Sequence, residues 1–119
     1  MGLMGTSQEA AAATGAAHRL GELWRLDRTD TETLTGLDLA PQAPVPEELT
    51  DEQRERVSLL LGIFAALETL YDSRLARTWI HIPNTNALFE GRTPLAAMKV
   101  DGLPLMRTVR QLLDARTQQ

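Results

Sequence analysis

The sequence has 119 residues and no cysteine, and 11 of its 12 basic residues are arginines, leaving Lys99 as its single lysine. Without cysteine there is no disulfide framework, no Cys-ligated zinc, no iron–sulfur cluster and no thiol nucleophile, which suits a reducing compartment. No apolar run approaches the ~18 residues of a membrane span, and the N-terminus lacks the basic start and apolar stretch of a secretory signal. The expected location is therefore cytoplasmic, with no membrane association. No Gly-x-Gly-x-x-Gly or P-loop cradle for phosphate occurs, and no serine sits in a Gly-x-Ser-x-Gly elbow. His18 and His81 stand in separate segments without carboxylates at ligand spacing. Hence no metal, no cofactor and no catalytic residue is assigned, and the chain is not expected to be an enzyme.

Charge is unevenly placed. Residues 1–59 hold 11 acids against 5 bases, and residues 60–119 hold 5 acids against 7 bases, giving the net −4. Between Arg28 and Arg54 there is no base at all, while Asp30, Glu32, Asp38, Glu47, Glu48, Asp51 and Glu52 fall there. Such a stretch repels phosphate backbones. The pairs Glu47 with Glu48 and Asp51 with Glu52 read as solvated or helix-capping acids, since negative charge is favoured at a helix N-terminus.

Hydrophobic residues make up 43% of the chain, enough for the single core of a domain this long. Periodicity predicts an all-α protein, a small bundle of about six helices. Residues 1–17 carry small side chains without an apolar period and are expected to form a flexible N-terminal arm. Leu20, Leu23 and Trp24 at i, i+3, i+4 predict a short helix from His18 to about Arg28, followed by a second from Asp30 to Leu37, closed by Gly36. Three prolines in Asp38–Pro46 exclude regular helix there and leave a linker or a tethered loop of polyproline II character. Thr50-Asp51-Glu52-Gln53 fits a capping box and opens a helix to about Tyr71 whose apolar residues Leu59, Leu60, Leu61, Ile63 and Phe64 wrap more than one face. Self-association into a homo-oligomer follows as an expectation. Ser73 is expected to cap a helix ending near Ile80, Thr93-Pro94 to open a short one that Asp101-Gly102 stops, and Pro104 to open the last. In that last helix Leu105, Val109, Leu112 and Leu113 are expected inward, with Arg107, Arg110 and Arg116 outward.

The order Trp79, Pro83-Asn84, Phe89, Gly91, Pro94-Leu95, Met98, Gly102, Val109-Arg110, Leu112-Leu113-Asp114, preceded by Glu55-Arg56-Val57 through Leu67, resembles the toxin-binding domain of the Xre/MbcA/ParS-like antitoxins. The likeness spans about residues 52–116. Several rare residue types coincide in order, namely Trp-(x)3-Pro-Asn, then Gly-x-x-Pro-Leu, then Arg-x-Leu-Leu. The resemblance implies an antitoxin that neutralises a cognate RES-domain toxin, an NAD-consuming class, by covering its active site. It implies that Trp79, Pro83, Asn84, Gly91, Pro94 and Leu95 are scaffold, and that Arg107, Arg110, Arg116 and Gln119 are candidates for toxin contact. The implied organisation is an arm over 1–17, a degenerate helix-turn-helix-like segment with a proline-rich loop over 18–49, and a toxin-binding domain over 50–119.

Antitoxins of this kind often carry an N-terminal helix-turn-helix, so the alternative function is a DNA-binding transcriptional regulator of its own operon. A recognition helix offers Arg, Lys, Asn or Gln to the major groove. The corresponding stretch, Asp38 to Glu48, is broken by proline, acidic, and armed only with Gln42, so no DNA-binding residue is assigned.

Overall fold

A computed structural model describes the backbone of residues 3–118, with side chains from Ser7 onward. Six α-helices follow one another: α1 (Leu3–Leu23), α2 (Arg28–Thr35), α3 (Asp51–Leu70), α4 (Ser73–Thr78), α5 (Pro94–Asp101) and α6 (Leu103–Thr117). Two single-turn 3-10 segments, Trp79–His81 and Ala87–Phe89, lie between α4 and α5, and the described residues contain no strand. No helix among them is long and apolar enough to cross a membrane. The chain divides into two compact units, Met1–Ser58 and Leu59–Gln119, with the division falling inside α3.

In the first unit the expected flexible arm is helical from Leu3 onward. Ala10, Ala13, Ala17, Leu20 and Trp24 are all buried, an apolar stripe at alternating steps of three and four. Its first half is made of alanine, the best helix former and a weak hydrophobe, so the periodicity is present but faint. Ala10, Ala13 and Ala17 pack with Leu37, Leu39, Leu49 and Val57. The helix expected to reach Arg28 stops at Leu23 instead. Leu26 N–H donates to Gly21 O at 2.8 Å and Arg25 N–H to Glu22 O at 3.3 Å, a Schellman pattern that places Arg25 in the left-handed region at φ 51°.

Asp27 caps α2, its Oδ1 accepting from Asp30 N–H at 2.7 Å. Gly36, at φ 76°, ends the helix as the sequence predicts. The two buried threonines are satisfied locally: Thr31 Oγ1 donates to Asp27 O and Thr35 Oγ1 to Thr31 O, each at 2.8 Å. The proline-rich segment is a tethered loop. Buried Leu39 and Leu49 fix its ends, Glu32 Oε2 accepts from Leu39 N–H at 2.7 Å, and a turn closed by Ala43 N–H to Ala40 O at 2.9 Å interrupts any polyproline II run.

The capping box at the start of α3 forms in both directions, Gln53 N–H to Thr50 Oγ1 at 3.0 Å and Thr50 N–H to Gln53 Oε1 at 2.9 Å. Gln53 Nε2 also donates to Gly36 O at 2.8 Å, satisfying a carbonyl where α2 ends. Arg56 reaches the last turn of α2, donating to Leu34 O at 3.3 Å, where a cation suits the helix dipole.

In the second unit Leu60, Ile63, Phe64 and Leu67 of α3 are buried and Leu59 is half-buried, whereas Leu61 is 43% exposed. Asp72, not the expected Ser73, caps α4, with its Oδ1 accepting from Leu75 N–H at 2.8 Å. Aspartate and serine both serve at this position, and here the cap falls one residue earlier than expected. Thr93 Oγ1 accepts from Ala96 N–H at 3.1 Å with Pro94 in the first turn of α5, as the Thr-Pro pair predicts. Leu105, Met106, Val109 and Leu113 form the buried face of α6, and Leu112, expected inward, is only half-buried.

Candidate functional site

The scaffold residues of the resemblance, Trp79 to Leu95, lie in one stretch of the second unit, from the end of α4 into the first turn of α5. Trp79 is buried where α4 tightens into a 3-10 turn, and its ring meets Phe89 edge to face, centroids 5.9 Å apart at 81°. Such a pair contributes about 1 kcal/mol beyond the area it buries. Pro83 is exposed. It holds the preceding Ile82 in extended backbone, φ −105° and ψ 128°, which stops the 3-10 turn.

From Pro83 to Thr93 each turn residue has its own conformational task. Asn84 N–H donates to Arg92 O at 3.2 Å, drawing the two ends of the segment together, and Asn84 Oδ1 accepts from Asn86 N–H at 2.9 Å. Asn86 Oδ1 in turn accepts from Leu88 N–H at 2.9 Å. Glu90 and Gly91 follow at φ 54° and φ 80°, the successive left-handed residues that reverse the chain. Pro94 is buried and Leu95 half-buried in the first turn of α5.

Arg92, which sequence reasoning did not single out, ties this segment to α5. Its Nε donates to Phe89 O at 2.8 Å, and its terminal nitrogen lies 2.8 Å from Asp101 Oδ2 and 3.1 Å from Glu90 Oε2. The hydrogen bond from Arg92 holds the Asp101 carboxyl below the usual carboxylate range, against partial desolvation, and raises the Arg92 guanidinium in return. No periodic rule links positions 92 and 101, so the sequence carries no local signal for the pair.

The candidate contact residues on α6 do not share one environment. Arg107 is exposed, as expected. Arg110, expected outward, is half-buried: its guanidinium folds over the backbone of α3 at Gly62, into the space a Cβ there would occupy, and its Nε lies 2.8 Å from Asp114 Oδ2. A long side chain on the flank of the buried face reaches inward along its own aliphatic stem. Arg116 is also half-buried, and Gln119 lies outside the described residues. Beside α6, at the end of α5, Lys99 is exposed and Val100 is 78% exposed, the most solvent-facing of the large apolar residues described.

Elsewhere the chemistry is sparse. His18 lines a groove of about 290 Å³ in the first unit with Glu22, Arg28, Thr31, Leu39 and Pro41. His81 is exposed in the second unit. Glu47 and Glu48 are exposed in the loop, and Asp51 and Glu52 pair with Arg54 at 2.9 Å and Arg56 at 2.9 Å. No group of three His, Asp or Glu among the described residues could hold a metal ion. No family model, curated protein or solved structure matches the chain.

Proposed function

We propose that this chain is the antitoxin of a type II toxin–antitoxin pair, binding and neutralising a RES-domain, NAD-consuming toxin by covering its active site. One observation carries the reading beyond the sequence motif. The scaffold residues of the resemblance, scattered from Trp79 to Leu95, fall in one corner that leads into the start of α5 and, through Arg92 and Asp101, reaches its end. Inhibition by occlusion calls for a rigidly presented surface and no reacting group. The corner supplies the rigidity, and α5 and α6 supply the surface.

The loop between Gly36 and Thr50 weighs against the regulator alternative. It is non-helical and carries Asp38, Glu47 and Glu48, where a DNA reader places a basic helix. Self-association belongs to the proposal as well, with Leu61 as the large apolar residue of α3 left most open to a second copy.

Co-expression with the product of an adjacent RES-domain reading frame tests the proposal. The two chains should co-purify, and cellular NAD, depleted by the toxin alone, should be preserved. A chain that neither binds the toxin nor preserves NAD sinks it.

A further inference from the structure

In the first unit an open trough of about 290 Å³ lies where α1 meets the start of α2 and the proline-rich loop. Ala17, Leu39 and Pro41 give it an apolar wall, and three polar residues line it as well: His18 and Glu22, one turn apart on α1, and Arg28 at the start of α2. A smaller recess of about 150 Å³ shares His18, Leu39 and Pro41 and continues to Val45, which is 51% exposed. Local contacts hold these residues in place. A Cβ at Gly21 would lie 3.1 Å from Thr31 Oγ1, so the absent side chain lets α1 and α2 approach closely. The Schellman turn through Leu26 and the Asp27 cap then fix where Arg28 stands relative to Glu22. Leu39 is buried, with its N–H held by Glu32.

We propose that this trough binds a small zwitterion of the apolar α-amino-acid class, with its carboxylate on Arg28, its ammonium on Glu22 and its side chain against Leu39 and Pro41. Glu22 and Arg28 carry opposite charges and line one trough, yet they do not pair with each other. Among the described residues the side chains of Glu22, Arg28 and His18 make no hydrogen bond or ion pair. A few convergent polar groups over an apolar wall is the make-up of a small-molecule site, and the volume stands at the small end of the usual range of about 300–1,000 Å³. Opposite charges kept apart there match a ligand that carries both on one carbon. A guanidinium takes a carboxylate by paired hydrogen bonds. A simple anion would be repelled by Glu22, and a simple cation by Arg28. A metal ion fits less well still: His18 and Glu22 stand at i and i+4, but no third His, Asp or Glu among the described residues joins them. The recess beyond His18 gives the ligand's hydrocarbon side chain room toward Val45. The proposal goes beyond the antitoxin reading and is independent of it, since every residue involved belongs to the first unit.

The test titrates the full-length chain with leucine, following backbone amide shifts by NMR. Two analogues keep the leucine side chain: 4-methylpentanoate lacks the ammonium and 3-methylbutylamine lacks the carboxylate. Leucine should bind with a Kd on the order of 1 mM and move the amides of Ala17, Gly21 and Leu39. Each analogue should bind about tenfold or more weakly, because it leaves one charged group of the trough without its partner. Glu22 and Arg28 are exposed, so their substitution leaves the fold intact. Arg28→Gln should bind leucine and 3-methylbutylamine alike, and Glu22→Gln should bind leucine and 4-methylpentanoate alike. Arg19→Gln, an exposed change on α1 outside the trough, should bind as wild type. Absence of shifts at about 10 mM leucine, valine or methionine overturns the proposal. Equal binding of leucine and both analogues by the wild type, or an equal loss from Arg19→Gln, does the same. Inorganic phosphate that moves these amides as strongly as leucine would make the trough an anion site and likewise overturn the zwitterion. None of these results bears on toxin binding, so the two proposals stand or fall separately.

Discussion

The guanidinium of Arg110 occupies the space over Gly62 that any other residue's Cβ would fill, so α6 approaches α3 through an arginine laid on bare backbone. The two residues are conditional on each other. Gly62→Ala gains about 1 kcal/mol of helix propensity. It also displaces the far end of a flexible side chain from its partly exposed ion pair with Asp114, worth about 0–1 kcal/mol. The net change in the wild-type background should be within about 1 kcal/mol of zero. In an Arg110→Ala background the same substitution should stabilise by about 1 kcal/mol. Denaturant titration of the four proteins measures the coupling, and identical effects in both backgrounds would show that the contact is not made.

Gly15 and Ala17 test the first helix. Gly15 sits in the helix interior with nothing within 4 Å of an added Cβ, whereas Ala17 is fully buried. Gly15→Ala should stabilise by about 1 kcal/mol, the helix-propensity difference. Ala17→Leu should destabilise by roughly 1–3 kcal/mol through overpacking against Leu37, Leu39 or Val57. In a flexible arm neither substitution would move the unfolding midpoint.

Two backbone positions make opposite predictions. Gly102 sits at φ 70° and ψ −146°, a region essentially reserved for glycine, so Gly102→Ala should cost roughly 1–3 kcal/mol. Arg25, at φ 51°, is a side-chain-bearing residue at the Schellman position glycine prefers, so Arg25→Gly should stabilise by about 0.5–1 kcal/mol. Thermal melts of both variants give the signs, and a stabilising Gly102→Ala would contradict the backbone conformation at Gly102 between α5 and α6.

Acid sensitivity should trace in part to Asp101. Its pKa is lowered in the folded state by the hydrogen bond from Arg92. Its contribution to stability is therefore present above the ordinary carboxylate pKa and is lost as pH falls through that value and below. Asp101→Asn should lower stability at neutral pH and flatten the acid side of the stability profile relative to wild type. Denaturant midpoints collected between neutral and strongly acidic pH would reveal this. An acid limb of unchanged slope would mean that the pair with Arg92 does not form in solution.

What could be read in advance followed from locality. The Thr50–Gln53 box, the Gly36 stop and the Thr93-Pro94 start are written in residues a few positions apart, and all three form. The first helix was hidden because its stripe is alanine, whose small side chain gives little hydrophobic contrast even when fully buried. The Arg92–Asp101 and Arg110–Gly62 contacts join positions that no helical or strand period connects. A helical wheel places Arg110 at the flank of α6 but says nothing about which way a flexible guanidinium turns.

The division of the chain within α3 bears on any attempt to prepare the second unit by itself. A fragment trimmed to begin at Leu59 would start in the middle of a helix, with its first four amides unsatisfied. It would also lack Thr50, Asp51, Glu52 and Gln53, which cap the helix and complement its dipole. The practical N-terminal cut for expressing residues through Thr117 is therefore just before Leu49 and Thr50, so that the eight further helix residues Asp51–Ser58 bring α3's own start signal with them.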